Sequence, residues 1–506
     1  VGMSGKAADW LGMAIASYEW MAAITLIVVA FFFLPKFLQS GVYTAPEFLK
    51  VRFNDSARLI MAVFTMIMYV GVTISAVIYS GALTLSTLFP AVGLVPAAWL
   101  IGVIAAGYVV TGGLKAVAWA DLIQGSALIL AGGVILVLAL RALGAAPVDE
   151  LTFTAAATGV SDGAGGWTKL TELNSDKLHM ALPAWDLVLP WTALAVGLWI
   201  PNFYYWGLNQ YIIQRTLGSE SLAEGQRGAV FAAALKLLIP FVIVFPGIAA
   251  FNLFSGEMAS EAARDPQIIA GNEAAWVQFQ EVQDDPTAPP VIFDFDGAWA
   301  AANPERVAPL EAHNERIQSE VGLNVAHVRL IGYKYDTALA LLIGRLVPAG
   351  VGLQGFILAA LLGAVVSSLA SMLNAASTIF TMDLWRRYLR PRSTEGELVG
   401  TGRTTVAIFA AIGCLLAPLL GNPRFGGIFT FIQEFQGFIS PGILAIFLFG
   451  LLVHRAPRLI GTVGLLLNPV LYGLFKFSPR ILGDANPGFL EAVAKWSFLD
   501  RMALCF

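Results

Sequence analysis

The chain has 506 residues, of which 57% are hydrophobic and 13% are charged, and its formal net charge is −4. A soluble globular domain carries roughly 25% charged residues, so this composition indicates a polytopic membrane protein in a lipid bilayer. The absence of a basic stripe argues against a nucleic-acid partner, and 2 Cys argue against a disulfide framework or thiolate metal site.

About ten apolar windows approach the roughly 20 residues that a helix needs to cross a bilayer. In chain order these windows are 13–34, 59–85, 97–110, 116–140, 187–213, 229–254, 353–382, 405–420, 429–452 and 459–477. Every second connection is rich in Lys and Arg, as the positive-inside rule expects of cytoplasmic loops. The remaining connections, above all 141–186 and 255–336, are acidic and are therefore predicted to lie outside. The predicted fold class is an all-α polytopic membrane protein.

Composition divides the chain into four parts. Residues 1–254 and 337–478 are predicted to hold the membrane helices, 255–336 an extracytoplasmic acidic insertion, and 479–506 a truncated C-terminal segment. Apolar repeats in the insertion favour a partly helical cap, although a tolerated loop without function is the simpler interpretation. Because the chain opens at Val1 in mid-pattern, we expect it to be a fragment that lacks its N-terminus.

Residues 197–215, GLWIPNFYYWGLNQYIIQR, place polar residues and helix breakers inside an apolar window. Pro201 removes a backbone N–H, and the carbonyl one turn earlier then needs another partner. Within a membrane this is tolerated only where the backbone lines a cavity. Secondary transporters bind their solutes at such broken helices. The segment therefore predicts a solute transporter with its gate here.

Ionisable side chains inside predicted spans are costly and tend to be functional. Lys236 lies about 10 Å beyond the basic end of its helix, which favours a cavity-facing role over snorkelling to the interface. Glu19 lies nearer the outside, where interfacial solvation explains it equally well. Asp121 is either a carboxylate near a helix N-terminus or a waypoint for a cation, and both interpretations remain open.

Aromatic residues and hydroxyls form two further patterns. Tyr18 and Tyr69 fit an interfacial aromatic belt, whereas Tyr205 lies in mid-span, where an aromatic face beside polar groups suits a polyol. Ser367 and Ser368 fit either close helix packing or the oxygen ligands that a hard cation prefers.

Six segments, in order from about residue 1 to residue 458, resemble the sodium/solute symporter family, most of all its bacterial sodium/galactose and sodium/glucose transporters. These segments are IASYEWM, GGLKAVAWADLIQ, NFYYWGLNQYIIQRTL, FAAALKLLIPF, VVSSLASMLNAASTIFTMD and FIQEFQGFISPGILA. The resemblance implies a LeuT-like inverted-repeat core that works by alternating access. It also implies that most of the first core helix precedes Val1, so that the chain as numbered is not expected to transport.

The resemblance assigns roles to residues at the matching positions. The sugar-binding residues would be Glu19, Asn202, Lys236 and Gln433. Tyr205 would stack over the sugar as the inner gate, and the further gate residues would be Tyr69, Phe429 and Tyr18, with Tyr69 and Phe429 on the outer side. The sodium ligands would be the Ala364 carbonyl and the hydroxyls of Ser367 and Ser368, with Asp121 on the exit path.

Two departures leave the identity of the sugar open: Ala22 replaces a serine, and Thr73 replaces a polar amide. We predict sodium-coupled symport of a galactose- or glucose-like sugar across a bacterial inner membrane, with the co-transported sodium ion in place of any cofactor. The alternatives are symport of inositol, sialic acid or an amino acid, and a membrane sugar sensor that does not transport. An enzyme is disfavoured because the spans carry no nucleophile–base set.

Overall fold

The computed structural model of the protein describes residues 2–42, 44–156, 159–284, 290–322, 325–350, 352–421, 428–453, 455–483 and 488–506, and 81% of these described residues are helical. The N-terminal half contains the helices α1 (Gly2–Ala8), α2 (Gly12–Ser40), α3 (Ala45–Arg52), α4 (Asp55–Leu88), α5 (Leu94–Gly113), α6 (Val117–Ala145), α7 (Gly166–Glu172), α8 (Trp191–Ala195), α9 (Trp199–Gly207), α10 (Gln210–Leu217) and α11 (Leu222–Ala262). The rest contains α12 (Pro266–Asp284), β1 (Val291–Phe295), α13 (Gly297–Ala302), α14 (Pro304–Glu320), β2 (Ala326–Leu330), α15 (Ala338–Leu346), α16 (Leu353–Leu389), α17 (Glu395–Gly421), α18 (Ile428–Gly437), α19 (Ser440–Leu452), α20 (Arg458–Leu482), α21 (Gly488–Lys495) and α22 (Phe498–Cys505).

Within the described residues, eight helices are long and apolar enough to cross a membrane: α2, α4, α5, α6, α11, α16, α17 and α20. The pair α18–α19 meets the same criterion when its two helices are taken together, and it is bent by 47° at its break. The predicted span 187–213 is wrong as one continuous helix, because it forms the short helices α8, α9 and α10. Between α5 and α6 the chain turns at Gly113, whose φ of 60° is a conformation that glycine adopts without strain.

Small residues let the membrane helices pack closely. Gly363 of α16 lies against α6, where an added Cβ would come within 3.0 Å of the Gln124 side chain. Gly247 of α11 lies against α1, where an added Cβ would come within 2.4 Å of the Ser4 carbonyl oxygen. These contacts hold α16 against α6, which carries Asp121, and α11, which carries Lys236, against α1.

The insertion contains a parallel βαβ unit, which the sequence did not predict. β1 pairs with β2 in register from Val291–Ala326 to Phe295–Leu330, and α13 and α14 connect the strands. The side chain of Asn314 in α14 both accepts from and donates to the backbone of Phe293, so it satisfies the outer edge of β1. The all-α prediction therefore holds for the membrane helices, and the insertion adds two strands to it.

The C-terminal segment folds back onto the membrane helices. Phe498, Leu499 and Met502 of α22 are buried in the main apolar core. Gly197 packs so closely against α22 that an added Cβ would lie 2.4 Å from the Leu499 carbonyl oxygen. The broken segment α8–α9 is thus braced on one side by the end of the chain.

Candidate functional site

The break in the fifth apolar window does not lie at the predicted proline. α9 begins at Trp199, so Pro201 lies in its first turn, where a missing N–H removes no helical hydrogen bond. The helix ends before Leu208, and Asn209 has extended backbone angles of φ −77° and ψ 120°. The chain therefore loses its helical conformation directly after the turn that carries Tyr205.

An ion pair joins two of the predicted sugar-binding residues. The Lys236 Nζ atom of α11 lies 2.5 Å from Glu19 Oε2 of α2, and the two side chains are only 18% and 13% exposed. The same ammonium lies 4.2 Å from the centre of the Trp206 ring. The structure thus places both charges inside the bundle, where the pair offers a donor, an acceptor and an aromatic face side by side.

The other two predicted sugar-binding residues lie on broken helices. Asn202 in α9 is buried, and its side-chain amide donates to the Leu198 carbonyl at 2.9 Å. In α18 the Gln433 side-chain oxygen is buried without a hydrogen-bond partner, as is the Thr430 hydroxyl one turn earlier. Because buried polar atoms are almost always paired, orphan atoms on one helix face mark a place for water or a polar ligand. α18 packs against α9, which in turn packs against α2.

A chain of tyrosines crosses the break. The Tyr205 and Tyr211 hydroxyls are hydrogen-bonded, and their rings meet edge to face with centroids 5.7 Å apart. The Tyr69 hydroxyl donates to the side chain of Asn209 and accepts from the Tyr211 N–H at 3.1 Å. The predicted inner gate is therefore hydrogen-bonded to the chain just beyond the break.

The predicted outer-gate residues fall into two separate contacts. Phe429 lies edge to face against Tyr18, with ring centroids 4.9 Å apart. Tyr69 instead joins the tyrosine chain, and no contact between its ring and that of Phe429 appears in the described part of the molecule. Tyr18 has a buried hydroxyl without a partner.

The predicted sodium site lies where α6, α10 and α16 meet. The Ser367 hydroxyl donates to one oxygen of Asp121, and the Arg215 guanidinium donates to the other. Arg215 also donates to the Ser371 hydroxyl, which in turn donates to the Ser367 carbonyl at 2.9 Å. Ser367 is buried and Ser368 is exposed, so the two hydroxyls of the predicted pair differ in their surroundings. Ala364 lies one helical turn before them, on the same face of α16.

Sequence reasoning missed Arg215 as a member of this site, because a basic residue at the end of an apolar window fits an ordinary cytoplasmic connection. Its second guanidinium nitrogen donates to the Tyr211 carbonyl at 2.8 Å. Arg215 therefore connects the Asp121 carboxylate to the residue that holds Tyr205. The signal in the sequence was its position four residues after Tyr211, at helical spacing and directly after the break.

A second missed cluster lies at the end of the bundle that the positive-inside rule predicts to be cytoplasmic. Arg58 also fits the pattern of a basic residue in a cytoplasmic connection, but it is buried and its Nε donates to Asp383 at 2.6 Å. Thr44 donates to the same carboxylate at 3.2 Å. The neighbouring Ala45 N–H donates to the Gln210 side chain at 2.9 Å, which ties α3 to the segment after the break.

The chain matches the Sodium:solute symporter family over residues 1–278 and 322–464. Residues 279–321 lie outside the match, and they contain the whole of β1, α13 and α14. A sodium/glucose cotransporter of Vibrio parahaemolyticus is 37% identical over 480 residues, which are 95% of this chain and 74% of that protein. A sodium/myo-inositol cotransporter 2 of Sus scrofa is 29% identical over 484 residues, which are 94% of this chain and 61% of that protein.

A solved structure of a Na⁺-coupled sialic acid symporter, in a substrate-bound outward-open state, is also similar to this chain. The TM-score is 0.61 at 18% sequence identity, with 100% of this chain and 87% of that chain covered. At this identity the likeness concerns the fold, and it confirms the predicted LeuT-like architecture.

Proposed function

Because the chain belongs to the sodium:solute symporter family, and is thus a sodium-coupled membrane transporter and not an enzyme, we propose that it imports a monosaccharide of the galactose or glucose type. The solute would cross a bacterial inner membrane by alternating access, with the inward sodium gradient driving uphill entry.

The observation that carries the proposal is the contact of Glu19 with Lys236 beside the Trp206 ring. A sugar hydroxyl both donates and accepts hydrogen bonds, so it suits a site that offers a carboxylate and an ammonium together. The apolar face of a sugar ring suits an adjoining aromatic side chain. An amino acid would instead direct its carboxylate to a helix N-terminus.

We assign the remaining sugar contacts to Asn202 and Gln433. The orphan oxygen of Gln433 supports this assignment, because a bound hydroxyl would satisfy it. Tyr205 would close the inner side of the site, and Tyr18 with Phe429 the outer side. The edge-to-face contact of Tyr18 with Phe429, with ring centroids 4.9 Å apart, supports the assignment of these two residues to one gate.

We assign sodium to the Ala364 carbonyl and to the Ser367 and Ser368 hydroxyls. The Ser367 hydroxyl donates to Asp121, so its lone pairs stay available to a cation. A cation beside Asp121 would compete with Arg215 for that carboxylate. Occupancy of the sodium site would therefore be communicated through Arg215 to the Tyr211 backbone and the Tyr205 gate.

Symport of a cyclic polyol such as inositol is the second candidate. Thr73, which stands in place of a polar amide, donates to the Met68 and Tyr69 carbonyls of its own helix, both at 3.3 Å. Its hydroxyl proton is therefore engaged within α4, and one hydroxyl of the solute would be recognised differently. The 29% identity to a sodium/myo-inositol cotransporter favours testing this solute.

The test is uptake by the full-length protein in liposomes, with an inward sodium gradient or an equal potassium gradient. We expect accumulation of labelled galactose or glucose with sodium alone, and competition by unlabelled sugar that is stronger than competition by myo-inositol. Sodium-independent uptake would refute the coupling. Stronger competition by myo-inositol would replace the sugar assignment with the polyol.

A further inference from the structure

A groove of ≈580 Å³ runs between α6 and α11 on the outer surface of the helical bundle. The α6 residues that line it recur every three or four positions and therefore share one face of that helix. The α11 residues that line it have bulky apolar side chains. The residues that define it include Ile129, Gly133, Val137, Arg141, Leu238 and Phe241. Val137, Leu238 and Phe241 are exposed on this surface. The described residues that line it are apolar except for Arg141 at one end.

The floor of the groove is a close helix contact. An added Cβ at Gly132 of α6 would lie 2.8 Å from the Val242 Cβ and 3.0 Å from its carbonyl oxygen. The next residue, Gly133, lines the groove, and an added Cβ there meets no atom within 4 Å. The missing side chain of Gly133 therefore leaves room along the groove.

The length of the groove matches one leaflet of a bilayer. Ile129 and Arg141 are separated by 12 residues of α6, or about 18 Å at 1.5 Å per residue. Half of a typical hydrocarbon core is about 15 Å thick. A single acyl chain thus fits the groove from mid-membrane to the level of Arg141.

Arg141 lies four residues before the end of α6 and is exposed. Its guanidinium makes no hydrogen bond or ion pair with any residue that the structure describes. An arginine at the membrane surface extends its guanidinium to the interface, where it attracts anionic headgroups. Its charge at the end of an apolar groove is complementary to a phosphate attached to an acyl chain.

We propose that this groove binds an anionic phospholipid, with one acyl chain between α6 and α11 and the phosphate paired with Arg141. By the predicted sidedness of the loops, the lipid lies in the extracytoplasmic leaflet. It contacts α11, the helix that also carries Lys236, on the side away from the Glu19 ion pair. Lipid binding does not depend on the transported solute.

The experiment is native mass spectrometry of the full-length protein, released from nanodiscs of phosphatidylcholine mixed with phosphatidylglycerol. The variants are Arg141→Gln, Arg141→Lys, Gly133→Leu and, as a matched control, Gly125→Leu. Gly125 also lies on α6, and an added Cβ there meets no atom within 4 Å, but it does not line the groove. Circular dichroism and size-exclusion chromatography establish that each variant is folded.

We expect Arg141→Gln to weaken phosphatidylglycerol retention about fivefold, the ratio that corresponds to ~1 kcal/mol for one basic residue at a membrane surface. Arg141→Lys should keep the preference for phosphatidylglycerol. Gly133→Leu should reduce retention of both lipids, and Gly125→Leu should behave as the wild type. Wild-type retention in Gly133→Leu, or an unchanged headgroup preference in Arg141→Gln, would overturn the proposal. If Gly133→Leu does not fold, the comparison of Arg141→Gln with Arg141→Lys still decides it.

Discussion

The Lys236 ammonium lies 2.5 Å from the Glu19 carboxylate, between two helices that the sequence separates by 217 positions. Removing one partner of a largely buried ion pair leaves the other charge without compensation, which is more destabilising than removing both. If this pair binds the solute, substitutions should affect stability and transport differently. Stability depends on the balance of charge, whereas transport depends on the charged groups themselves.

Lys236→Met and Glu19→Gln should each lower the free energy of unfolding by about 3 kcal/mol, the low end of the range for a broken buried pair. The double variant should recover most of that stability but should still lose sugar uptake by at least tenfold. Thermal unfolding and liposome uptake measure the two effects. Arg227→Met on the same helix is the control, because its pair with Glu224 is exposed. A double variant with wild-type uptake would exclude the ion pair from solute binding.

Ser368→Ala should raise the half-saturating sodium concentration about tenfold, because loss of a neutral oxygen ligand corresponds to roughly 1.4 kcal/mol. Uptake at saturating sodium should change far less. The control is Ser377→Ala, also on α16, where the hydroxyl donates to the Asn374 carbonyl at 3.2 Å. Sodium activation curves in liposomes give the answer, and an unshifted curve for Ser368→Ala would remove this hydroxyl from the sodium site.

Arg215→Gln should reduce the dependence of sugar uptake on sodium. Its guanidinium connects Asp121 to the Tyr211 carbonyl, and the neutral amide is too short to reach both. The measured quantity is the ratio of sugar uptake with and without a sodium gradient, which should fall by at least about fivefold. Arg387→Gln serves as the control, because the ion pair of Arg387 with Asp55 is exposed and lies outside the predicted site. An unchanged ratio in Arg215→Gln would show that sodium binding and sugar uptake are coupled through other residues.

Arg329→Met should loosen the insertion from the membrane helices. Arg329 of β2 donates to both carboxylate oxygens of Asp9, at 3.1 and 3.3 Å, and its guanidinium lies 3.6 Å from the Trp10 ring centre. Hydrogen exchange of the β2 amides should become about tenfold faster, as for a local opening that costs ~1.4 kcal/mol less. Arg306→Met within the insertion, which pairs with the exposed Glu273, should leave this exchange unchanged. Equal exchange rates of the β2 amides in Arg329→Met and Arg306→Met would show that Arg329 does not hold the insertion to the membrane helices.

Lys177 predicts a dependence of stability on pH. Burial in the loop before α8 lowers the pKa of its ammonium from 10.5 to about 8, although Asp9 and Asp176 oppose the shift. Between pH 8 and 10.5 the unfolded chain therefore binds more protons at this group than the folded chain, so stability rises with pH in this window. The gain is at most about 3 kcal/mol.

Lys177→Met removes this titration, so the wild type should gain stability relative to the variant as the pH rises from 8 to 10.5. The variant also loses the hydrogen bond from Lys177 to the Ala8 carbonyl, but that loss is a constant offset. Melting temperatures of the two proteins across this range measure the difference. Parallel curves would show that Lys177 titrates normally in the folded protein.

Several parts of the site were predictable from local sequence. Lys236 in mid-span and the helix breakers within 197–215 both violate the pattern of a lipid-facing helix, and such violations point to a cavity. The position of the break, after Tyr205 and not at Pro201, was not predicted. Arg215 and Arg58 were not predictable in the same way, because their positions at the ends of apolar windows fit ordinary loop cations. Their carboxylate partners, Asp121 and Asp383, are distant in sequence, so the pairing exists only after folding.

Hydrophobic windows alone determined the membrane class and eight crossings, because a helix that satisfies its own backbone in lipid needs only length and apolar composition. Tertiary structure decided the rest. It divided 187–213 into three short helices, turned part of the insertion into paired strands, and joined Glu19 to Lys236. Each of these depends on partners far away in the chain, since strand pairing, backbone satisfaction at a break and charge neutralisation all require a second segment that no local pattern specifies.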